Sequence, residues 1–126
     1  MVSVREEDYL KNIYEITKTK KLAKTREIAR KMRVSDASVS EIIAKLKEKG
    51  LVIKEPYKEI RLTKKGEEIA KDTIKKHETV ERFLSDVLKI KRDAHREAEK
   101  LEHIISKKSL EKMCVFSDLK NMLLKY

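Results

Sequence analysis

The chain has no tryptophan and no glutamine, and only one cysteine, one proline and two glycines in 126 residues. Each scarcity removes a class of protein. Cys114 alone cannot build an internal disulfide framework, which fits a reducing cytoplasm and a small apolar role for the residue itself. So few glycines and prolines leave few turn positions, and the chain should consist mainly of long helices. No apolar run is long enough for a membrane span, and the N-terminus has no signal-like apolar segment, so no membrane partner is expected. A Gly-rich phosphate loop, a nucleophile elbow and an HExxH motif are all missing. The chain is therefore not expected to be an enzyme or to take a small-molecule substrate.

What is abundant is charge. Charged residues make up 43% of the chain and the net charge is +10. Residues 1–75 carry twenty basic against thirteen acidic side chains, or +7, and residues 76–126 carry twelve against nine, or +3. A positive excess towards one half is the electrostatic footprint of a nucleic-acid partner. Lys, Glu and Ile dominate while Asn is scarce, a bias that suits a heat-adapted source and accounts for part of the charge.

Helical spacing of Tyr9, Leu10, Ile13, Tyr14 and Ile16 predicts a first amphipathic helix. After a polar connector, Thr25 is placed as the cap of "REIARKM", with Ile28, Ala29 and Met32 facing inward. "RVSDA" reads as a turn. "SVSEIIAKLKEKG" reads as a third helix burying Val39, Ile42, Ile43 and Leu46, with Gly50 as a left-handed cap. "LVIKEPYKEIRLT" predicts two short strands around Pro56-Tyr57-Lys58. Helical spacing resumes from Lys64 through Leu88. A further helix follows around "DAHREAEKLEHIIS" with Asp93 as its cap, and one or two more close the chain. The expected fold is mostly α: a winged helix-turn-helix with a small hairpin wing over residues 1–72, then an all-helical domain over 73–126.

In a winged helix-turn-helix the second helix of the pair enters the DNA major groove, with its N-terminal residues towards base edges. That end carries Ser35, Ala37, Ser38, Ser40 and Glu41, while Lys24, Thr25, Arg26, Lys45, Lys54, Lys58 and Arg61 surround it. The smaller or polar side chains can approach bases, and the cations suit phosphates. A winged helix used only for protein contacts is the alternative.

In "HREAEKLEHII", helical spacing puts Glu99, Glu102 and His103 on one face with His95 one turn earlier. On spacing alone this is either a solvated charged face or a set of metal ligands.

"DYLKNIYEI", "REIARKMRVSDASVSEIIAKLKEKGLV", "EPYKEIRLTKKGEEIA" and "KHETVERFLSDVL…HREAEKLEH" together resemble the diphtheria-toxin-repressor family of metal-dependent transcriptional regulators, in particular its manganese-responsive, MntR-like branch. The resemblance implies a homodimer of winged-helix domains joined through helical dimerisation domains, with a divalent metal promoting binding to a palindromic DNA operator. It implies a primary metal site at Asp8, Glu99, Glu102 and His103, and a second position at His77, Glu81 and His95. Lys11 departs from the manganese branch, where an acid helps to hold an adjacent ion, so one ion is expected at the primary site. Three carboxylates with one imidazole suit Mn²⁺ or Fe²⁺. A dimer face is expected around Phe83, Leu84, Leu88, Ile104 and Ile105. The rival function is a winged-helix DNA-binding regulator not controlled by metal.

Overall fold

The computed structural model describes the backbone of residues 2–125 and side chains through residue 120. The chain divides into two compact units, Met1–Thr73 and Ile74–Tyr126.

The first unit begins with α1 (Val4–Lys20). Ser3 caps it: its hydroxyl accepts from the Glu6 N–H at 3.1 Å, and the Glu6 carboxylate accepts from the Ser3 N–H at 3.2 Å. This reciprocal pairing satisfies two amides that helix geometry leaves without partners. In α2 (Thr25–Met32) the cap position falls on Lys24 rather than Thr25. Glu27 reaches back to accept the Lys24 N–H at 3.1 Å, so the side chain that serves this helix start is an acid in the third helical position and not the Thr25 hydroxyl. Arg33 then turns left-handed at φ 58°, ending the helix.

Helix α3 (Asp36–Glu48) starts earlier than its apolar stripe suggests, because the Ser35 hydroxyl accepts from the Ser38 N–H at 3.1 Å and sets the first turn. It ends at Gly50 (φ 72°), where the Gly50 N–H donates to Lys47 O and the Leu51 N–H to Leu46 O. That pattern requires a left-handed residue, and glycine takes it without strain. The expected cap is thus in place.

Strands β1 (Val52–Lys54) and β2 (Ile60–Leu62) pair antiparallel, with Val52 opposite Leu62 and Lys54 opposite Ile60. Ala23, in the link between α1 and α2, exchanges two further backbone hydrogen bonds with Ile60, at 2.8 and 2.7 Å. The hairpin is thereby tied to the helices. Tyr9, Leu10, Ile13, Ile28, Val39, Leu46, Leu51 and Ile60 form the core of this unit, each no more than 1% exposed. Helix α4 (Lys64–Arg82) follows. A Cβ at Gly66 would lie 2.1 Å from the Leu51 carbonyl oxygen, so the close approach of this first turn to the chain entering β1 depends on glycine.

The second unit takes the rest of α4, which passes into a π-helical turn at Phe83–Val87 instead of continuing as α-helix to Leu88. Then come α5 (Ala94–Leu101) and one long closing helix, α6 (Lys107–Lys125). Asp93 holds the cap position of α5, but its side chain makes no capping hydrogen bond. Val80, Leu84, Ala94 and Ala98 are buried together, with Leu101, Ile105, Leu110 and Met113 packed against them. Leu84 therefore belongs to this unit's own core and not to an exposed face. Phe83 and Ile105 are half-buried. Among the described residues of this unit, the exposed large apolar side chains are Leu88, Ile90, Ile104, Val115, Phe116 and Leu119. No helix among the described residues is long and apolar enough to cross a membrane.

Candidate metal centre and DNA-reading surface

Helices α4 and α5 carry a connected set of acids and imidazoles. His77, on α4, is 8% exposed in its side chain, and its Nε2 lies 2.9 Å from Glu81 Oε2, one turn later on the same helix. The same Nε2 is 3.0 Å from His95 Nδ1 on α5, and His95 Nδ1 is 3.3 Å from Glu81 Oε2. Three donor atoms from two helices thus converge at 2.9–3.3 Å. Donors around a cation with bonds of about 2.1 Å stand about 3.0 Å apart in an octahedron and about 3.4 Å in a tetrahedron. The trio fits either arrangement.

On its other side, His77 Nδ1 lies 3.1 Å from Glu102 Oε2, and Glu102 Oε1 lies 3.3 Å from His103 Nε2. The Glu102 side chain is 1% exposed and that of His103 is 6% exposed. A carboxylate so far from water needs a paired charge, hydrogen bonds or a coordinated cation. Here it faces two imidazoles.

Two details differ from expectation. Helix α5 ends at Leu101, so Glu102 caps it and His103 lies in the turn that follows. Glu99, Glu102 and His103 therefore do not all lie within one helix. Glu99 is half in water and pairs with His95 Nε2 at 3.1 Å. Asp8 and Lys11 lie on α1 in the first unit, both half-buried.

In the first unit, Ala37, Ser40 and Glu41 are exposed on α3, opposite the buried Val39, Ile42, Ile43 and Leu46. Ala44 continues this exposed stripe one turn on, and helical spacing from Ala37 and Ser40 would have found it. Ser35 and Ser38 are occupied locally, the Ser35 hydroxyl donating to Ser38 Oγ at 2.9 Å. Lys24, Arg26, Lys45, Lys58 and Arg61 are exposed, while Thr25 and Lys54 are half-buried. Lys54 Nζ donates to the Lys58 carbonyl, and Lys58 Nζ pairs with Glu55 at 2.7 Å. Arg5 was not anticipated. With Ser3 and Glu6 of α1 it lines a groove against Ser38, Glu41, Ile42 and Lys45 of α3.

Residues 1–60 match the model of the iron dependent repressor N-terminal DNA binding domain, and residues 63–119 match that of the iron dependent repressor metal binding and dimerisation domain. The chain belongs to the iron-dependent repressor family. Among similar proteins, an uncharacterized HTH-type transcriptional regulator of Methanocaldococcus jannaschii is 39% identical over 114 residues, covering 89% of this chain and 91% of that protein. The HTH-type transcriptional regulator MntR of Bacillus subtilis is 30% identical over 113 residues, covering 90% of this chain and 80% of its own length. The solved structure of the manganese regulator SloR superimposes with a TM-score of 0.78 at 39% identity, over 90% of this chain. The chain spans about half the length of SloR, 53%. Members of the iron-dependent repressor family are metal-dependent, DNA-binding transcriptional regulators and not enzymes, and they carry a domain for dimerisation.

Proposed function

We propose that Mn²⁺ or Fe²⁺ binds the acid–imidazole set and promotes binding of the homodimer to a palindromic operator, repressing metal-uptake genes in the cytoplasm. The observation that carries this reading is the Glu102 carboxylate, 1% exposed between His77 and His103, where a divalent cation would balance its charge. Glu102 and His103 form the heart of the primary site, and Asp8 from the DNA-binding unit is its further ligand. Glu99 joins by leaving His95, which its exposed, unbranched side chain permits. Carboxylates and imidazole without a thiolate suit Mn²⁺ or Fe²⁺, and the relatives include a manganese regulator and a family defined by iron dependence. His77, Glu81 and His95 form a second, more exposed position open to water. Lys11 occupies the place where an acid would hold an adjacent second ion, so the primary site takes one.

When bound, the metal supplies fixed positive charge that holds its ligands together. The chain does the rest: α3 presents Ala37, Ser40 and Glu41 to base edges, while Lys24, Thr25, Arg26, Lys45, Lys54, Lys58 and Arg61 approach phosphates, and Ser35 and Ser38 set the start of the helix. A mobility-shift titration in EDTA and in Mn²⁺ tests the proposal. Binding to a selected duplex that strengthens with Mn²⁺ and reverts with chelator is expected. Equal binding in both conditions would leave a winged-helix regulator that does not respond to metal.

A further inference from the structure

Helix α1 carries three acids in succession near its start, Glu6, Glu7 and Asp8. Neighbouring side chains on an α-helix stand about 100° apart around the axis, so the three are directed differently. Glu6 meets the Lys49 ammonium at the end of α3, at 2.8 Å. Glu7 turns to α4, where its Oε2 accepts from the Thr73 hydroxyl at 3.2 Å. Both contacts lie within the first unit. Val4 and Arg5 are exposed, so the opening turn of α1 draws much of its hold from these polar contacts and the Ser3 cap. Tyr9, Leu10 and Ile13 secure the helix further on by burial.

Thr73 puts a hydroxyl where an apolar residue would serve. Gly66, Ala70 and Thr73 are buried along α4 at helical spacing, and a valine would fill the third position with nearly the same shape. At 1% exposure the hydroxyl needs a partner. The Ile69 carbonyl, one turn back, lies 2.9 Å away and would satisfy it locally, as is common for a helical threonine. However, a hydroxyl has one hydrogen, and a carbonyl and an ionised carboxylate can each only accept. The two acceptors compete, and the charged one draws the hydrogen more strongly. Local satisfaction alone requires no acid opposite.

We propose that Thr73 is a positioning residue for the metal response: by holding Glu7 it fixes the direction of the Asp8 carboxylate and so sets the affinity of the primary site for a divalent cation. This rests on the reading above that Asp8 is a ligand of that site. Any rotation of the first turns of α1 that released Glu7 would swing Asp8 with it, because consecutive residues share one helical backbone. Thr73 acts through Glu7 without touching the ion, in the way that groups behind metal ligands fix ligand orientation.

The test titrates the full-length protein with Mn²⁺ by calorimetry and records its melting temperature without metal. Thr73→Val should weaken the tight class of sites about ten-fold. Its melting temperature should stay near the parent's, because valine keeps the packing and the half-buried Glu7 can turn to water. Thr73→Ser keeps the hydroxyl and should bind Mn²⁺ like the parent. His77 lies one turn beyond Thr73 on α4 and belongs to the second position, so a general disturbance of α4 would weaken both classes. Only the tight class should move. In an Asp8→Asn or a Glu7→Ala background, Thr73→Val should cause no further loss, since the link it breaks then has nothing to position.

A tight class at parental affinity in Thr73→Val overturns the proposal. So does a loss in Thr73→Ser equal to that in Thr73→Val, or an equal weakening of both classes. Losses that add in full to those of Asp8→Asn also overturn it, by showing that Thr73 acts independently of that ligand. Asp8→Asn with parental tight binding would remove Asp8 from the primary site, overturning that part of the earlier reading and this proposal with it.

Discussion

The Glu6 carboxylate lies 2.8 Å from the Lys49 ammonium, joining the first turn of α1 to the residue that closes α3. Burial alone would raise the Glu6 carboxyl; the Lys49 ammonium, with the Ser3 N–H and hydroxyl, outweighs it and holds the group below its ordinary value. A depressed folded-state value means stability that is fully present above the unfolded value of about 4.3, and lost as pH falls through the folded one. Glu6→Gln keeps the cap and removes the charge. It should cost about 1 kcal/mol near neutral pH, a difference that closes as the medium is acidified. Urea unfolding across an acid pH series reads this directly.

Ser35 and Ser40 separate a folding role from a surface one. Ser35 caps α3, so Ser35→Ala should cost about 1 kcal/mol of stability whatever it does to DNA binding. Ser40 is exposed, and Ser40→Ala should leave the melting temperature near the parent's. Calorimetry of the two variants without DNA makes the comparison.

Metal titration should distinguish the two ligand groups. Glu102→Gln should weaken the tighter Mn²⁺ binding by about 10–100-fold, the usual penalty for disturbing a ligand or its supporting shell. His95→Ala should affect a weaker class of sites, since His95 is 65% exposed and stands beside Glu81 and Glu99. Isothermal titration resolving one class where two exist in the parent would identify which residues serve which site. An unchanged tight class in Glu102→Gln would remove that residue from the primary site.

The dimer face should follow the exposed apolar side chains. Ile104 is 78% and Phe116 60% exposed, so Phe116→Lys should yield a folded monomer at micromolar concentration by sedimentation. Leu84→Lys should unfold the second unit instead, because Leu84 is 5% exposed within its core.

Much of the first unit was legible because its signals are local. The buried stripe of α3, Gly50 at its end and the Pro56 turn each follow from short-range backbone rules, and the structure keeps them. Thr25 misled because the helix starts one residue earlier than its hydroxyl suggests, with Glu27 accepting the Lys24 N–H. The end of α5 was hidden for another reason. Ile104 and Ile105 continue the apolar spacing past Leu101, and no Gly or Pro marks the stop. That concealment misplaced Glu102 and His103 on a longer helix. Leu84 was assigned to the dimer face because periodicity shows that a residue is apolar but not which partner covers it.

Lys21, Arg33, Tyr57 and Lys89 all sit at positive φ, in places that glycine would occupy without strain. Each non-glycine residue there adds about 1 kcal/mol or more to the folded state. It also narrows the range of conformations open to the unfolded chain, which glycine would widen. The first effect is a fixed strain, whereas the second is an entropy multiplied by absolute temperature. Warming therefore shifts the balance towards the residues actually present, and the molecule's sparing use of glycine counts for more the hotter it works.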